Sequence, residues 1–234
     1  MSLHQASRTM TKPIILGIAG GTGAGKTTLA KAVFKAVGGS KNAVYLTHDH
    51  YYRDISHKTL EERSKTNFDH PDSLETDMLV KHVQQLKRGD TAELPNYEFA
   101  THSRTAVTTL VHPKRVIIVE GILLFTSLEL CNEMDMKIFV DADNDTRVLR
   151  RIGRDTVERG RTLESIMAQY TRHVKPMHEQ WVEPSKTRAD VIVNSETGSS
   201  LDIAIKMISD HLLVASGMIS NDVAKGEENE LSQE

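Results

Sequence analysis

The sequence predicts an α/β domain: a five-stranded parallel sheet flanked by helices, with an inserted β-hairpin and an arginine-rich lid. Two observations predict it. Five short apolar runs alternate with segments of helical period, and a glycine-rich stretch joins the first run to the first helix. The runs are Ile14–Ala19, Ala43–Thr47, Val116–Val119, Lys137–Val140 and Asp190–Val193. Unbroken apolar runs of this length suit strands covered on both faces. The first helix is read over Lys26–Ala36. Leu74, Met78, Leu79, Val83 and Leu86 recur near helical spacing, and Gly89 stops that helix. Asp145–Arg159 carries Val148, Leu149 and Ile152. Leu163–Val174 carries Ile166, Met167 and Tyr170 until Pro176 interrupts, and Ile203–Leu213 closes the domain.

The alternation breaks once. Leu94–Phe99 and Ala106–Val111 predict an antiparallel hairpin around Thr101–Arg104, inserted before the third core strand. Ligands of open α/β sheets bind beyond the carboxyl ends of the strands, and a hairpin carrying Tyr97, Phe99 and His102 could wall such a site. The competing reading is a surface hairpin whose aromatics only pack on the domain.

The chain of 234 residues suits one domain, read over 13–214. A flexible N-terminal extension is read over 1–12, and a disordered acidic tail over 215–234. A net charge of −3 gives no field to recruit nucleic acid. The single cysteine, Cys131, excludes an internal disulfide and suits a reducing, cytoplasmic setting. Its neighbours Leu130, Asn132 and Glu133 read as a polar, non-catalytic environment. No apolar run approaches the ~18 residues of a membrane span, and no signal-peptide pattern opens the chain. No His or Cys spacing matches a structural zinc site. In His48-Asp49-His50 an extended backbone would send both histidines to the face opposite Asp49. Of the eleven histidines, His102 is the candidate for function.

Gly20-Gly21-Thr22-Gly23-Ala24-Gly25-Lys26-Thr27 match the P-loop pattern G-x-x-x-x-G-K-[ST] at every fixed position, and Thr28 follows. Glycines let the backbone turn its N–H groups toward phosphate oxygens, and the helix N-terminus adds partial positive charge. Lys26 would reach the β/γ-phosphates, and Thr27 would place a hydroxyl on Mg²⁺. An ordinary glycine-rich turn is the competing reading. The full pattern between an apolar run and a helix favours triphosphate binding and a P-loop NTPase fold.

Phosphoryl transfer to an alcohol needs a metal, a positioned hydroxyl and usually a base. Asp49 and Glu120 each follow an apolar run, at the sheet edge that carries the P-loop. Four apolar residues and then an acid resemble a Walker B strand with Glu for Asp. Two such acids beside a full P-loop favour function over turn capping. In Phe68-Asp69-His70-Pro71-Asp72, proline fixes a turn that could hold Asp69 as an acceptor for sugar hydroxyls, or Asp69 and Asp72 simply stabilise it. Arg147, Arg150, Arg151, Arg154, Arg159 and Arg161 form a dense basic segment opposed only by Asp155 and Glu158. Arg147, Arg151 and Arg154 fall on one helical face, and Gly160 would project Arg159 and Arg161 from a mobile turn. Beside a P-loop this reads as a phosphate-clamping lid rather than a solvated basic face.

These segments together resemble the uridine kinase (uridine–cytidine kinase) family. The likeness runs from about Pro13 to Leu213. It is carried by Gly20–Thr28, His48–Asp54, Asn67–Asp72, Leu94–Phe99, His102-Ser103-Arg104, Glu120–Leu123, Arg150–Asp155 and Glu158-Arg159-Gly160-Arg161, with Gln169-Tyr170 and Val174–Met177 extending it. The resemblance implies transfer of the γ-phosphoryl of ATP or GTP to the 5′-hydroxyl of uridine or cytidine, in pyrimidine salvage. It implies Asp49 as the general base, also near Mg²⁺, with Thr27 and Glu120 completing the metal surroundings. Asp69 would accept from ribose hydroxyls with Arg151 and Gln169 nearby. Tyr97 and His102 would hydrogen-bond the pyrimidine, and Tyr52, Phe68 and Phe99 would enclose it. Arg154, Arg159 and Arg161 would form the lid. A homotetramer and feedback inhibition by CTP or UTP are implied as well. His50 stands where the family commonly has a small residue, and Tyr51 where phenylalanine is common.

Three other readings are weaker. Kinases of phosphoribulose or pantothenate lack a reason for an aromatic-walled pocket. A GTP-dependent switch would carry an Asn-Lys-x-Asp segment, which is absent here. A nucleic-acid-dependent ATPase would interleave aromatics with its basic stretch.

Overall fold

The computed structural model describes residues 12–219. The extension read over 1–12 lies outside them but for its last residue, and so does the tail from 220 onward. Residues 215–219, assigned to the tail, are folded instead. Ala215 ends the last helix, Ser216 is buried, and Met218 packs on the core.

Strands β1 (Ile14–Gly20), β2 (Ala43–Thr47), β5 (Val116–Glu120), β6 (Met136–Asp141) and β7 (Val191–Asn194) form one parallel sheet in the order β2-β5-β1-β6-β7. Strands β3 (Ala92–Glu98) and β4 (Ser103–Val111) pair antiparallel as a separate hairpin, with an irregularity between Pro95 and Tyr97. Tyr97 faces Arg104 and Glu98 faces Ser103 across this ribbon, so its turn spans residues 99–102, two residues earlier than the sequence suggested. Alternate residues point to opposite faces, and two cores result. Ile15, Val44, Ile117 and Val119 lie in one; Leu16, Ile18, Ile118 and Ile138 lie in the other. Each is roofed by helices, as a parallel sheet requires.

The helices are α1 (Lys26–Ala36), α2 (Leu60–Ser64), α3 (Thr76–Arg88), α4 (Leu128–Glu133), α5 (Asn144–Arg159), α6 (Leu163–Gln169) and α7 (Gly198–Ala215). Gly89 and Gly160 end α3 and α5 in the left-handed conformation. No helix among the described residues is long and apolar enough to cross a membrane.

Pro176 does not interrupt the chain after α6. The run continues through a π turn at Tyr170–Val174, an α turn at Lys175–Met177 and a second π turn at His178–Val182. Pro176 and Pro184 each stand just beyond a π turn, where the shift in hydrogen-bond frame relieves the demand for an amide donor. Cys131 is also corrected: it is buried in the core, its Sγ facing the Phe125 carbonyl at 3.8 Å. The residues beside it in sequence are polar, but α4 turns Cys131 inward.

Candidate active site

The P-loop runs from β1 into α1. Gly23 has φ +76°, and a Cβ there would strike the Arg147 carbonyl, so no other residue fits. Gly25 is left-handed at the N-cap of α1. Lys26, the first residue of that helix, is buried and donates from Nζ to the Gly21 carbonyl at 3.1 Å. Thr28 is exposed on the same turn.

The side chains expected to bind metal, act as base, hold an acceptor or form the lid all line one cleft of about 760 Å³. Ser64, Ala100 and Ser165 line it as well and were not foreseen in the sequence.

Asp49 is half-buried just past β2. His48–Tyr51 forms a 3₁₀ turn, so the strand alternation expected for His48-Asp49-His50 does not exist. His48 is buried, its Nε2 3.1 Å from the Thr76 hydroxyl, while His50 lies toward Phe99 at 6.2 Å between ring centres. Burial raises the Asp49 carboxyl above its ordinary value, and Lys26 and Arg159 pull it back.

Glu120 ends β5 and is 5% exposed. Thr27 Oγ1 lies 3.4 Å from both of its oxygens, and the Tyr45 hydroxyl donates to Oε1 at 3.2 Å. Tyr45 was not foreseen; inside an apolar strand it carries no signal distinguishing it from a core residue. Burial raises Glu120, and the Lys26 ammonium opposes that rise. Lys26 is itself depressed by burial, with Glu120 and Asp49 restoring part of its proton affinity. Hydroxyl and carboxylate oxygens around a buried cation form a hard-donor set that suits Mg²⁺ shared with phosphate oxygens. Among the described residues no group of three or more His, Cys, Asp or Glu could cage a metal unaided.

Aromatic rings wall the far end. Tyr52 meets Phe68 at 5.1 Å and Tyr97 at 5.2 Å, and Phe68 stacks on His102 at 5.0 Å with 15° between planes. Phe99 stands exposed at the rim, 5.3 Å from Tyr97. His102 holds φ +50°, rare for a residue with a side chain, at the hairpin turn. Arg63 on α2 donates to the neighbouring Thr101 carbonyl at 3.0 Å and fixes that turn. The Tyr97 hydroxyl is buried without a partner. Asp69 is buried, raised by desolvation and lowered by the Arg151 guanidinium.

The arginines divide into two sets. Arg147 is not on the cleft. It turns inward beneath the P-loop, donating from Nε to the Ala142 carbonyl at 3.2 Å, with Nη2 2.9 Å from His178 Nε2. Arg151 donates to Thr22 Oγ1 at 2.9 Å and Gln169 Oε1 at 2.8 Å, joining the P-loop to α6. Arg154, Arg159 and Arg161 do not project freely around Gly160. All three are tethered to Asp155, which is completely buried. The sequence shows Asp155 only as one acid opposing a basic run.

A model of the phosphoribulokinase/uridine kinase family matches residues 15–202. The chain belongs to this family. A uridine kinase of Chloroflexus aurantiacus is 48% identical over 198 residues, spanning 85% of this chain and 93% of its own. A uridine kinase of Bacillus mycoides is 46% identical over 200 residues, spanning 85% and 94%. Among solved structures, a D-glycerate 3-kinase from Cryptococcus neoformans superposes with a TM-score of 0.57 at 18% identity, over 80% of this chain and 88% of its own. That likeness is one of fold. The family member described here is thus a phosphotransferase on a P-loop kinase fold.

Proposed function

We propose that this protein is a uridine kinase that also accepts cytidine, transferring the γ-phosphoryl of ATP or GTP to the nucleoside 5′-hydroxyl to give UMP or CMP in pyrimidine salvage. The observation that carries the reading is the acceptor end of the cleft. A stacked aromatic pair, a buried phenol without a partner and a buried carboxylate share one cavity with the P-loop. A flat polar heterocycle on a ribose offers complementary groups to all three. The names of the 46–48% identical relatives support the same acceptor.

In this reading the rings of Tyr52, Phe68 and Phe99 enclose the pyrimidine, and Tyr97 and His102 hydrogen-bond its edge. Asp69 accepts from the ribose hydroxyls, steadied by Arg151 and Gln169. That pose presents the 5′-hydroxyl to Asp49, which orients it and takes its proton as the phosphoryl arrives in line. Lys26 and the arginines Arg154, Arg159 and Arg161 face the developing phosphate charge. Thr27, Glu120 and Asp49 would hold Mg²⁺, which when bound neutralises charge between phosphate oxygens. Closure of the arginine segment excludes water that would otherwise take the phosphoryl group. Cytoplasmic location, a homotetramer and feedback inhibition by CTP or UTP belong to the same reading.

The test is an acceptor panel with ATP and GTP: uridine, cytidine, ribulose 5-phosphate, pantothenate, and water alone. Uridine and cytidine are expected to accept phosphate. Turnover confined to another acceptor or to water sinks the proposal. Tyr97→Phe gives a finer check. Removing a buried hydroxyl that has no partner should leave the melting temperature unchanged or higher. The nucleoside KM should rise about tenfold, the worth of about one hydrogen bond of 1.4 kcal/mol. An unchanged KM would show that the Tyr97 hydroxyl makes no hydrogen bond to the nucleoside.

A further inference from the structure

Four guanidinium groups converge on one carboxylate beside the cleft. Asp155 Oδ1 accepts from Arg154 Nε at 2.9 Å and pairs with its Nη2 at 2.8 Å, with Arg159 Nη1 3.4 Å away. Its Oδ2 lies 3.6 Å from Arg151 Nε and 3.7 Å from Arg161 Nη1. Its backbone carbonyl accepts the amides of Gly160 and Arg161, the latter at 3.1 Å, and so fixes the chain reversal between them. Four like charges this close repel one another unless an anion stands among them. One carboxylate leaves a surplus of three positive charges. A guanidinium has five N–H donors in a rigid fork, and Asp155 engages at most two on any of these arginines. The remaining donors of Arg154 and Arg159 are free to serve the cleft that these residues line, while Arg161 spends Nη1 on Gln169 and Nη2 on Ser165 and so pins the clamp to α6; Asp155 does not reach the cleft. Through its other nitrogens Arg151 binds Thr22 and Gln169, which ties the cluster to the P-loop.

We infer that Asp155 is a positioning residue: it never meets substrate, and it holds the arginine clamp assembled, in register with the P-loop, before a phosphate chain arrives. The surplus charge is then completed by the anionic donor, so the arginines need no gathering at the moment of transfer. This rests on the reading of those arginines as a phosphate clamp.

The test uses the full chain with D155N and D155E. For D155N, donor KM should rise about tenfold and kcat fall about tenfold to a hundredfold, the scale of misplaced catalytic groups. The acceptor KM should stay within about threefold. Inorganic tripolyphosphate should raise the melting temperature of D155N less than that of the wild type. D155E keeps the charge and displaces it by one methylene, so it should show the same donor-side loss at smaller size. If D155N is not recovered folded, D155E decides alone. Donor kinetics like wild type in either folded variant, or equal losses on donor and acceptor sides, overturn the inference. The tripolyphosphate shift needs no acceptor, so failure there is separable from an acceptor panel in which uridine and cytidine stay silent.

Discussion

Asp49→Asn is expected to lower kcat by about 10² to 10⁴, the usual contribution of a positioned general base. The change is isosteric and removes the acceptor for the 5′-hydroxyl proton. Pyrimidine contacts are assigned to other side chains, of which only Tyr52 adjoins the turn that carries Asp49, so nucleoside binding should survive. A direct titration of uridine should give a Kd within about threefold of wild type, since the asparagine carbonyl oxygen still accepts a hydrogen bond from the 5′-hydroxyl although it cannot take its proton. The pH profile supplies a second check. Burial lifts the wild-type carboxyl above its ordinary 3.8. A base works deprotonated, so turnover should fall as pH drops through that raised value, earlier than for an exposed aspartate. The asparagine variant has no such group, and its residual rate should lose that acid limb. Turnover close to wild type in Asp49→Asn, measured by product formation from labelled ATP, would end the assignment.

The fold was legible because its signals are local. Each core strand centres on a short apolar run, and the helix stops at Gly89 and Gly160 are set by left-handed glycines. Strand ends shifted by one residue where a polar neighbour still pairs, as Glu120 does opposite Thr47. Pro176 misled because its effect depends on hydrogen-bond frame, and a π turn is not written in composition. The same holds for His48-Asp49-His50, where a 3₁₀ turn replaced the extended backbone assumed.

The site divides along similar lines. Lys26, Thr27, Asp49 and Glu120 were readable because a motif or a strand end fixes them. Tyr45 and Asp155 were not. A tyrosine in a strand and an aspartate in a basic helix have unremarkable sequence contexts, and their partners are set by tertiary placement. Arg147 shares a helical face with Arg151, as the spacing requires, yet that face lies against the P-loop, so one arginine goes under the loop and the other over it.

Lys26→Met should lower kcat/KM for the phosphate donor by about 10² to 10³, the scale for losing one preorganised charge donor. The effect should exceed the loss of one contact, because Lys26 is the cation between a buried and a half-buried carboxylate. Its ammonium holds down the proton affinity of both Asp49 and Glu120. With methionine both carboxyls rise, since each is left facing the other in a desolvated cleft. The acid limb of the pH–rate profile should therefore move to higher pH, and the variant should need more Mg²⁺, because protons compete for the same oxygens. Lys26→Arg separates charge from fit. It keeps the cation and so should keep the wild-type acid limb, while its broad fork cannot occupy a space shaped for a compact ammonium, and donor KM should rise. If Lys26→Met and Lys26→Arg shift the limb equally, the coupling between Lys26 and the two carboxylates is absent, and the lysine acts on phosphate alone.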